Sequence, residues 1–501
     1  MRAAPRWFPR NGAWLGVLAL AAVDLLVLVC VAGHARFDAD EFQHAHIAWN
    51  VLNSKVPYRD FFDHHGPLFA LVSSAALALV PDPARFDTFY ILRFQAFAVA
   101  LILLHATYLL SLRFHPSRRV AFLAVVLLSS TVFFADKASE IRPDALQNVW
   151  WVYGLCLLVS STGRRARWWA GCCFAMCALG NMKGLLGPAL AAPVHLLLLA
   201  RRIGIAPALA QGMQLLAGFL LVFGSATVGF GLLGAADDFL FYNVTYNLHL
   251  ASTGRQGLGV QWLGSMSRTQ LPFLLVFLTG ALGLVARGLR AGEAELSARA
   301  VPLLVSSVGL ALVGCVTNMN RQFYLAVLPL MAVVGASGLF HLSDTVQGRF
   351  RWGRWIPLLL APAVLFLCAG LVAWACRLRP AEEQRSDVEL VLRETERWQP
   401  VGFLWSDCGA YVFNEDVQFY WTRIPDHVAS GALSRAAGED PFGAPYAARL
   451  EARQVPIVVA RPDDVELLLP EVRAHLDRRY ERRSGCLLVR RPDPDAVLGN
   501  R

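Results

Sequence analysis

Charge is what this chain has little of. Only 17% of its 501 residues are Asp, Glu, Lys or Arg, against 56% hydrophobic, and the mean hydropathy is +0.45. A soluble protein of this length would be several domains carrying far more charge. The composition therefore excludes a soluble chain and predicts a polytopic membrane protein. Familiar catalytic signatures are missing too: no P-loop, dinucleotide fingerprint, GxSxG elbow or HExxH occurs in a suitable context. There is no internal repeat and no low-complexity segment. No cleavable signal peptide is expected. The apolar run from Trp14 to Gly33, after a basic N-terminus, is long enough to span, so it reads as an uncleaved first helix.

The charge that is present is basic, +9 net with a pI near 9.2. Much of it sits in short clusters between apolar runs, as membrane topology requires, so nucleic acid is not an expected partner. Apolar runs lie near 14–34, 88–112, 119–135, 145–161, 168–183, 185–200, 208–234, 270–286, 301–317, 323–341 and 356–376, predicting about eleven spans. Arginines fill alternate loops: Arg2, Arg6 and Arg10; Arg113, Arg118 and Arg119; Arg164, Arg165 and Arg167; Arg201 and Arg202; Arg287, Arg290 and Arg299; Arg349, Arg351 and Arg354. The positive-inside rule puts these loops and the N-terminus in the cytoplasm. An odd number of spans then sends the tail to the far side. The run at 66–80 is slightly short and would break this pattern if it spanned, so it is expected to lie on the outer leaflet as an interfacial helix.

Two domains follow: a transmembrane domain over 1–376, with a large external loop at 35–87, and an extracytoplasmic α/β domain over 377–501. A second external loop runs from about 235 to 269. In the tail, GFLW, VPIVVA and CLLVRR read as strands and VELLLPEVRAHLDRRY as a helix. Of the ten cysteines, Cys408 and Cys486 fall in this tail, where an oxidising compartment allows them to pair.

Polar residues that could carry chemistry collect on the outer face. FDADEFQHAHIAWN contributes Asp38, Asp40, Glu41, His44 and His46, and PYRDFFDHHGPL contributes Arg59, Asp60, Asp63, His64 and His65. Glu140, Arg142 and Asp144 come from ASEIRPDAL, with Arg93, Lys183, Arg321 and Tyr324 farther along. Asp40 and His44 stand one turn apart on a predicted helix and face the same way. Asp38 or Asp40 suits its N-cap, while a carboxylate beside imidazoles also suits a base or a metal ligand. Glu140 and Asp144 suit the start of the next helix, or a second acidic arm facing the first. Lys183, Arg93 and Arg321 could snorkel, or could together meet an anion such as phosphate.

In their order these segments resemble the GT-C glycosyltransferases that use polyprenyl-phosphate sugars. They are most similar to the bacterial branch of protein O-mannosyltransferases and lipid A aminoarabinose or galacturonic acid transferases. The resemblance spans roughly 14–345 and rests on Asp40-Glu41, a Pro-Tyr-x-Asp segment, Gly66-Pro67-Leu68, Arg93, Arg142-Pro143-Asp144, Lys183-Gly184, and Arg321-x-x-Tyr324. It implies an inverting sugar transfer to a lipid, glycan or protein acceptor outside a bacterial cytoplasmic membrane. Asp40, with Glu41 beside it, would be catalytic. A divalent metal (Mg, Mn or Zn) would lie on Asp40, Glu140, Asp144 and His64. Arg93, Lys183 and Arg321, with His65 and Tyr324, would hold the donor phosphate. His64-His65 replaces the Glu-Lys of some relatives, and histidines suit either metal or phosphate. The alternatives are a flippase of lipid-linked sugars and another lipid-linked glycan polymerase or ligase. Against the first stands the lack of symmetry; against the second, a 235–269 loop poor in cations, with Arg255 and Arg268 alone.

Overall fold

The computed structural model describes residues 12–160, 163–248, 264, 270–288, 294–316, 321–347, 351–395, 401–403, 412–415, 444–466, 468 and 470–492. A helix occupies each of the eleven apolar runs. In chain order the described helices begin with α1 (Gly12–His34), α2 (Ala39–Leu52), α3 (Pro67–Leu77), α4 (Asp87–Phe114), α5 (Arg118–Ser129) and α6 (Val132–Ala138). Next come α7 (Pro143–Ser160), α8 (Arg164–Gly180), α9 (Leu186–Ile203), α10 (Ile205–Leu232) and α11 (Ala236–Leu240). After these follow α12 (Leu271–Gly288), α13 (Ala294–Val316), α14 (Leu328–Gln347) and α15 (Leu360–Ala375). Among the described residues six helices are long and apolar enough to cross a membrane, or seven if the bent pair α5–α6 is one span.

The bend of 75° between α5 and α6 has a local cause. Thr131 caps α6 by accepting from the Phe134 amide at 3.4 Å, and Asp24 of α1 accepts from the Ser129 and Ser130 hydroxyls, both at 2.7 Å. The break turns the chain so that Asp136, Lys137 and Glu140 follow directly. The 66–80 run forms only the 11-residue α3, opened by Gly66 and Pro67. At 1.5 Å per residue that is about 16 Å, well short of a bilayer core. The doubtful pair at 168–200 is two helices, α8 and α9, joined through a 3-10 turn at Met182–Leu185.

Small residues let the helices pack closely. A Cβ on Gly283 of α12 would stand 2.0 Å from the Gly338 carbonyl of α14, and one on Gly171 of α8 1.9 Å from the Leu215 carbonyl of α10. Nothing larger than hydrogen fits there.

Beyond α15 come α16 (Glu382–Thr395), α17 (Ala444–Ala452), α18 (Pro462–Glu466) and α19 (Pro470–Arg479). A sheet of β1 (Val401–Phe403), β2 (Ile457–Val459), β3 (Tyr480–Arg482) and β4 (Leu487–Arg490) runs in the order β1-β2-β4-β3. β1 and β2 are parallel; the other pairs are antiparallel. The segment expected as one helix at 465–480 is instead cut by Pro470, which opens α19 at its first position, and Tyr480 already belongs to β3. Val458, Leu476, Tyr480 and Leu488 form a core of their own, while Val401, Ile457 and Leu487 join the main one. Cys486 is in a disulfide; Cys408 lies outside the described residues.

Candidate functional site

The opening of α2 is a capping box. Asp38 accepts from the Asp40 amide at 3.0 Å, and the Glu41 carboxylate accepts from the Asp38 amide at 2.9 Å. Asp38 is thus the cap, which leaves the Asp40 side chain for other partners. Glu41 is fully buried. Arg93 grips it as a fork, Nε to Oε1 at 2.7 Å and Nη2 to Oε2 at 2.5 Å, while the Ile141 amide donates to Oε1 at 3.0 Å. Arg93 also donates to the Ala35 and Arg36 carbonyls and lies 3.8 Å over the Phe37 ring. All its donor nitrogens are engaged within the protein.

Asp40 faces a different arginine. Its carboxylate, with 26% of the side chain exposed, pairs with Arg142 Nη2. Arg142 Nη1 donates to Glu140 Oε2 at 2.9 Å, and its Nε sits 4.0 Å from Asp144 Oδ2, buried and without a hydrogen-bond partner. Glu140 is also held by Lys137 at 2.6 Å, and Lys137 lies 3.4 Å from Asp136. Burial pushes the Glu140 carboxyl well above its ordinary range, against the pull of the Lys137 charge. Lys183, in the turn between α8 and α9, lies within electrostatic reach of Asp144 and Arg142. A Cβ on Gly184 would stand 2.7 Å from Gln147, one helical turn beyond Asp144, so this turn packs on the start of α7.

Three of the four expected metal ligands, Asp40, Glu140 and Asp144, therefore surround a guanidinium. His64 groups elsewhere: the donor atoms of Asp63, His64 and His65 all lie within 4.8 Å of one another. Asp63 accepts from His65 Nδ1 at 3.0 Å and from the His65 amide at 2.9 Å. Tyr58 and Asn247 hold the His65 and His64 carbonyls, both at 2.7 Å, and the His44 ring stands 4.7 Å from that of His65. Burial and the nearby His65 push the His44 pKa well down, and burial takes His46 to about 4. Both stay neutral at neutral pH and lack the charge to hold a phosphate. His46 Nδ1 donates to the Val412 carbonyl at 2.9 Å, and Asn50 Nδ2 donates to its Nε2 at 3.0 Å, so the imidazole ties the chain beyond β1 to α2.

Tyr324 is buried in a 3-10 turn at Arg321–Ala326, edge-on to Phe133 at 6.3 Å. The Arg321 side chain lies outside the described residues. Sequence reasoning passed over Asp136, Lys137 and the central place of Arg142. The signal for Lys137 was its place three residues before Glu140, near enough in the chain for the end of α6 to pair with the bend that follows it.

No protein-family model and no curated protein sequence matches the chain. Solved structures do. ArnT from Cupriavidus metallidurans bound to undecaprenyl phosphate is 14% identical with a TM-score of 0.66, over 96% of this chain and 98% of that one. The oligosaccharyltransferase of Archaeoglobus fulgidus in its apo form is 13% identical with a TM-score of 0.54, over 91% and 70% of the two chains. Its complex with zinc and sulfate aligns at 13% identity and 0.55, over 94% and 73%. What is shared at such identities is architecture: along nearly its whole length this chain has the fold of ArnT.

Proposed function

We propose that the chain is a membrane glycosyltransferase. It moves a sugar from a polyprenyl-phosphate donor to a hydroxyl on a lipid, glycan or protein acceptor, outside the cytoplasmic membrane of a bacterium. The observation that carries this reading is the half-wet Asp40 carboxylate on the first turn of α2, facing Arg142, Glu140 and Asp144 within a fold shared with a structure bound to undecaprenyl phosphate. The acceptor oxygen attacks the anomeric carbon, the carbon–oxygen bond to the donor phosphate breaks, and its electron pair leaves with the polyprenyl phosphate. The acceptor proton passes to Asp40, and attack opposite the leaving group inverts the configuration. A leaving phosphate needs cations, and Arg142 and Lys183 are best placed to supply them. The family resemblance, rather than a contact in the structure, adds Arg321, His65 and Tyr324 to the phosphate end. We assign Glu41 and Arg93 to holding α2 in place.

The eleven apolar helices would all span, with the N-terminus inside and residues 377–501 forming an external domain. A divalent ion fits Asp63, His64 and His65 better than the acids around Arg142. Zinc takes imidazole and carboxylate donors, often three from the protein, whereas the guanidinium repels a second cation. Once bound there, such an ion would polarise a phosphoryl oxygen.

The test is transfer from a polyprenyl-phosphate sugar by the purified protein, with anomeric configuration read by NMR. Asp40→Asn should abolish transfer while the protein stays folded; undiminished transfer removes Asp40 as base. His64→Gln and His65→Gln should lower zinc content measured by mass spectrometry, and an unchanged content rejects that site.

A further inference from the structure

Residues 35–38 join α1 to α2 outside any helix, and their path sets where Asp40 stands. Backbone polar groups in such a joint need partners. The Ala35 amide finishes α1 by donating to the Val31 carbonyl at 3.1 Å. The Asp38 amide donates to Glu41, and its carbonyl accepts from the Glu41 amide at 3.1 Å. Arg93 takes the Ala35 and Arg36 carbonyls. The groups that remain are met by chain that follows α15. The Arg36 amide donates to the Arg379 carbonyl at 2.8 Å, the Ala381 amide donates to the His34 carbonyl at 2.8 Å, and Ala35 faces Pro380 in an antiparallel bridge. Gln384, buried in the first turn of α16, accepts from the Phe37 amide at 2.7 Å and donates to the Phe37 carbonyl at 3.0 Å. One side-chain amide thus stands in for a paired strand.

The same segment holds α2 a second time. The Val412 carbonyl accepts from His46, and the buried Phe413 ring stacks on Phe89 with centroids 5.5 Å apart. Phe89 in turn meets Phe37 at 5.6 Å and Phe42 of α2 at 4.9 Å. Phe37 lies beneath Arg93, which forks Glu41. The two holds therefore converge, through Phe37 and Phe89, on the neighbour of Asp40. Arg385 pins the start of α16 to Asp87 at 2.8 Å. A Lys55–Glu415 pair at 2.8 Å lies past the end of α2, but it is exposed and contributes little. The transfer chemistry uses none of these contacts.

We propose that the segment leaving α15 is a clasp on α2, and that Gln384 and Phe413 are positioning residues for the proton transfer at Asp40. The inference rests on the transferase reading, in which Asp40 is the base. Gln384 fixes the path into α2, Phe413 fixes the aromatic cluster under it, and Asp40 is thereby held at the distance from Arg142 that the reaction needs.

The test uses the full-length protein in detergent, with kcat and KM measured for a polyprenyl-phosphate sugar. Gln384→Met keeps the volume and removes both bonds to Phe37. It should lower kcat about ten-fold or more, since a misplacement of about 1 Å can cost about 10²-fold, while KM stays within about three-fold. Phe413→Leu orphans no polar group and should give the same split at about three-fold in kcat; it keeps the test available if Gln384→Met fails to insert. Hydrogen-exchange protection at residues 36–41, relative to intrinsic rates, should fall in both variants. The clasp can also be rebuilt covalently. Facing residues of an antiparallel pair stand roughly 4.5–5.5 Å apart at Cα, within the roughly 4.4–6.8 Å that a disulfide spans. Ala35→Cys with Pro380→Cys, oxidised and confirmed by peptide mass mapping, should restore most of the kcat lost in Gln384→Met, and reductant should remove the gain. The same reductant on the parent protein corrects for the native disulfide at Cys486. Unchanged kcat in both variants, or a loss that the disulfide leaves in place, overturns the clasp. If the parent protein transfers no sugar from any polyprenyl phosphate, the transferase reading is what fails. Protection at 36–41 then decides the clasp alone, and equal protection in parent and variants rejects it.

Discussion

Asp40 and Glu41 are adjacent carboxylates on one helical turn, and each meets an arginine, yet they are built for opposite purposes. Glu41 has no exposed surface and is saturated by the Asp38 and Ile141 amides and the Arg93 fork. Asp40 is 26% exposed and shares one guanidinium with two other acids. Successive residues on a helix point about 100° apart. One step along α2 therefore separates a carboxylate locked into the scaffold from one that water and a substrate can reach. A buried carboxylate with every lone pair used holds geometry; a part-exposed one that shares its cation can exchange a proton.

The sharpest way to break this contrast is to neutralise each acid in turn. Asp40→Asn should lower transfer by about 10²–10⁴-fold, the usual worth of a general base, with thermal stability nearly unchanged. Glu41→Ala should do the reverse. It leaves Arg93 buried without its partner, which costs about 3–5 kcal/mol, read as a depressed melting temperature or failed membrane insertion. If both variants lost only activity, the division of labour would be refuted. Asp38→Ala removes the cap alone and should destabilise by about 1 kcal/mol, less than Glu41→Ala in the same thermal assay.

The smallest effect concerns pH. The folded pKa of His46, about 4, lies below its ordinary value of 6.5. The unfolded chain therefore binds more protons between these values, so the stabilisation is complete above pH 6.5 and is lost as pH falls toward 4. The link between His46 and Val412 should loosen over that window. Hydrogen-exchange protection at residues 412–415, taken relative to the intrinsic rate at each pH, should be lower at pH 5 than at pH 7, and equal protection would leave His46 without a structural role.

Much of this architecture could be read before any coordinates. Each apolar run became a helix because a chain in lipid must satisfy its backbone internally, and Pro143 and the Gly66-Pro67 pair mark helix starts as their chemistry requires. The residues that could carry chemistry were also visible as types. Their partners were not. Arg93 suited phosphate as well as Glu41, and nothing in their separation of 52 positions announces a fork. His64 suited the Asp40 acids until the turn at 63–66 placed it with Asp63 and His65 instead. Arg142 stood among the polar residues of the outer face, but nothing in RPD announces that three acids share its cation.

By itself, then, the amino-acid order determined a helical membrane chain and a helix start capped by Asp38 or Asp40, because local backbone chemistry and burial in lipid act over a few residues or one helix. Only the tertiary structure decided which carboxylate met which guanidinium, that Glu41 is locked while Asp40 is not, and that the segment after α15 closes on the first loop. Those outcomes depend on side chains brought together from distant turns, where charge and burial are set by neighbours in space.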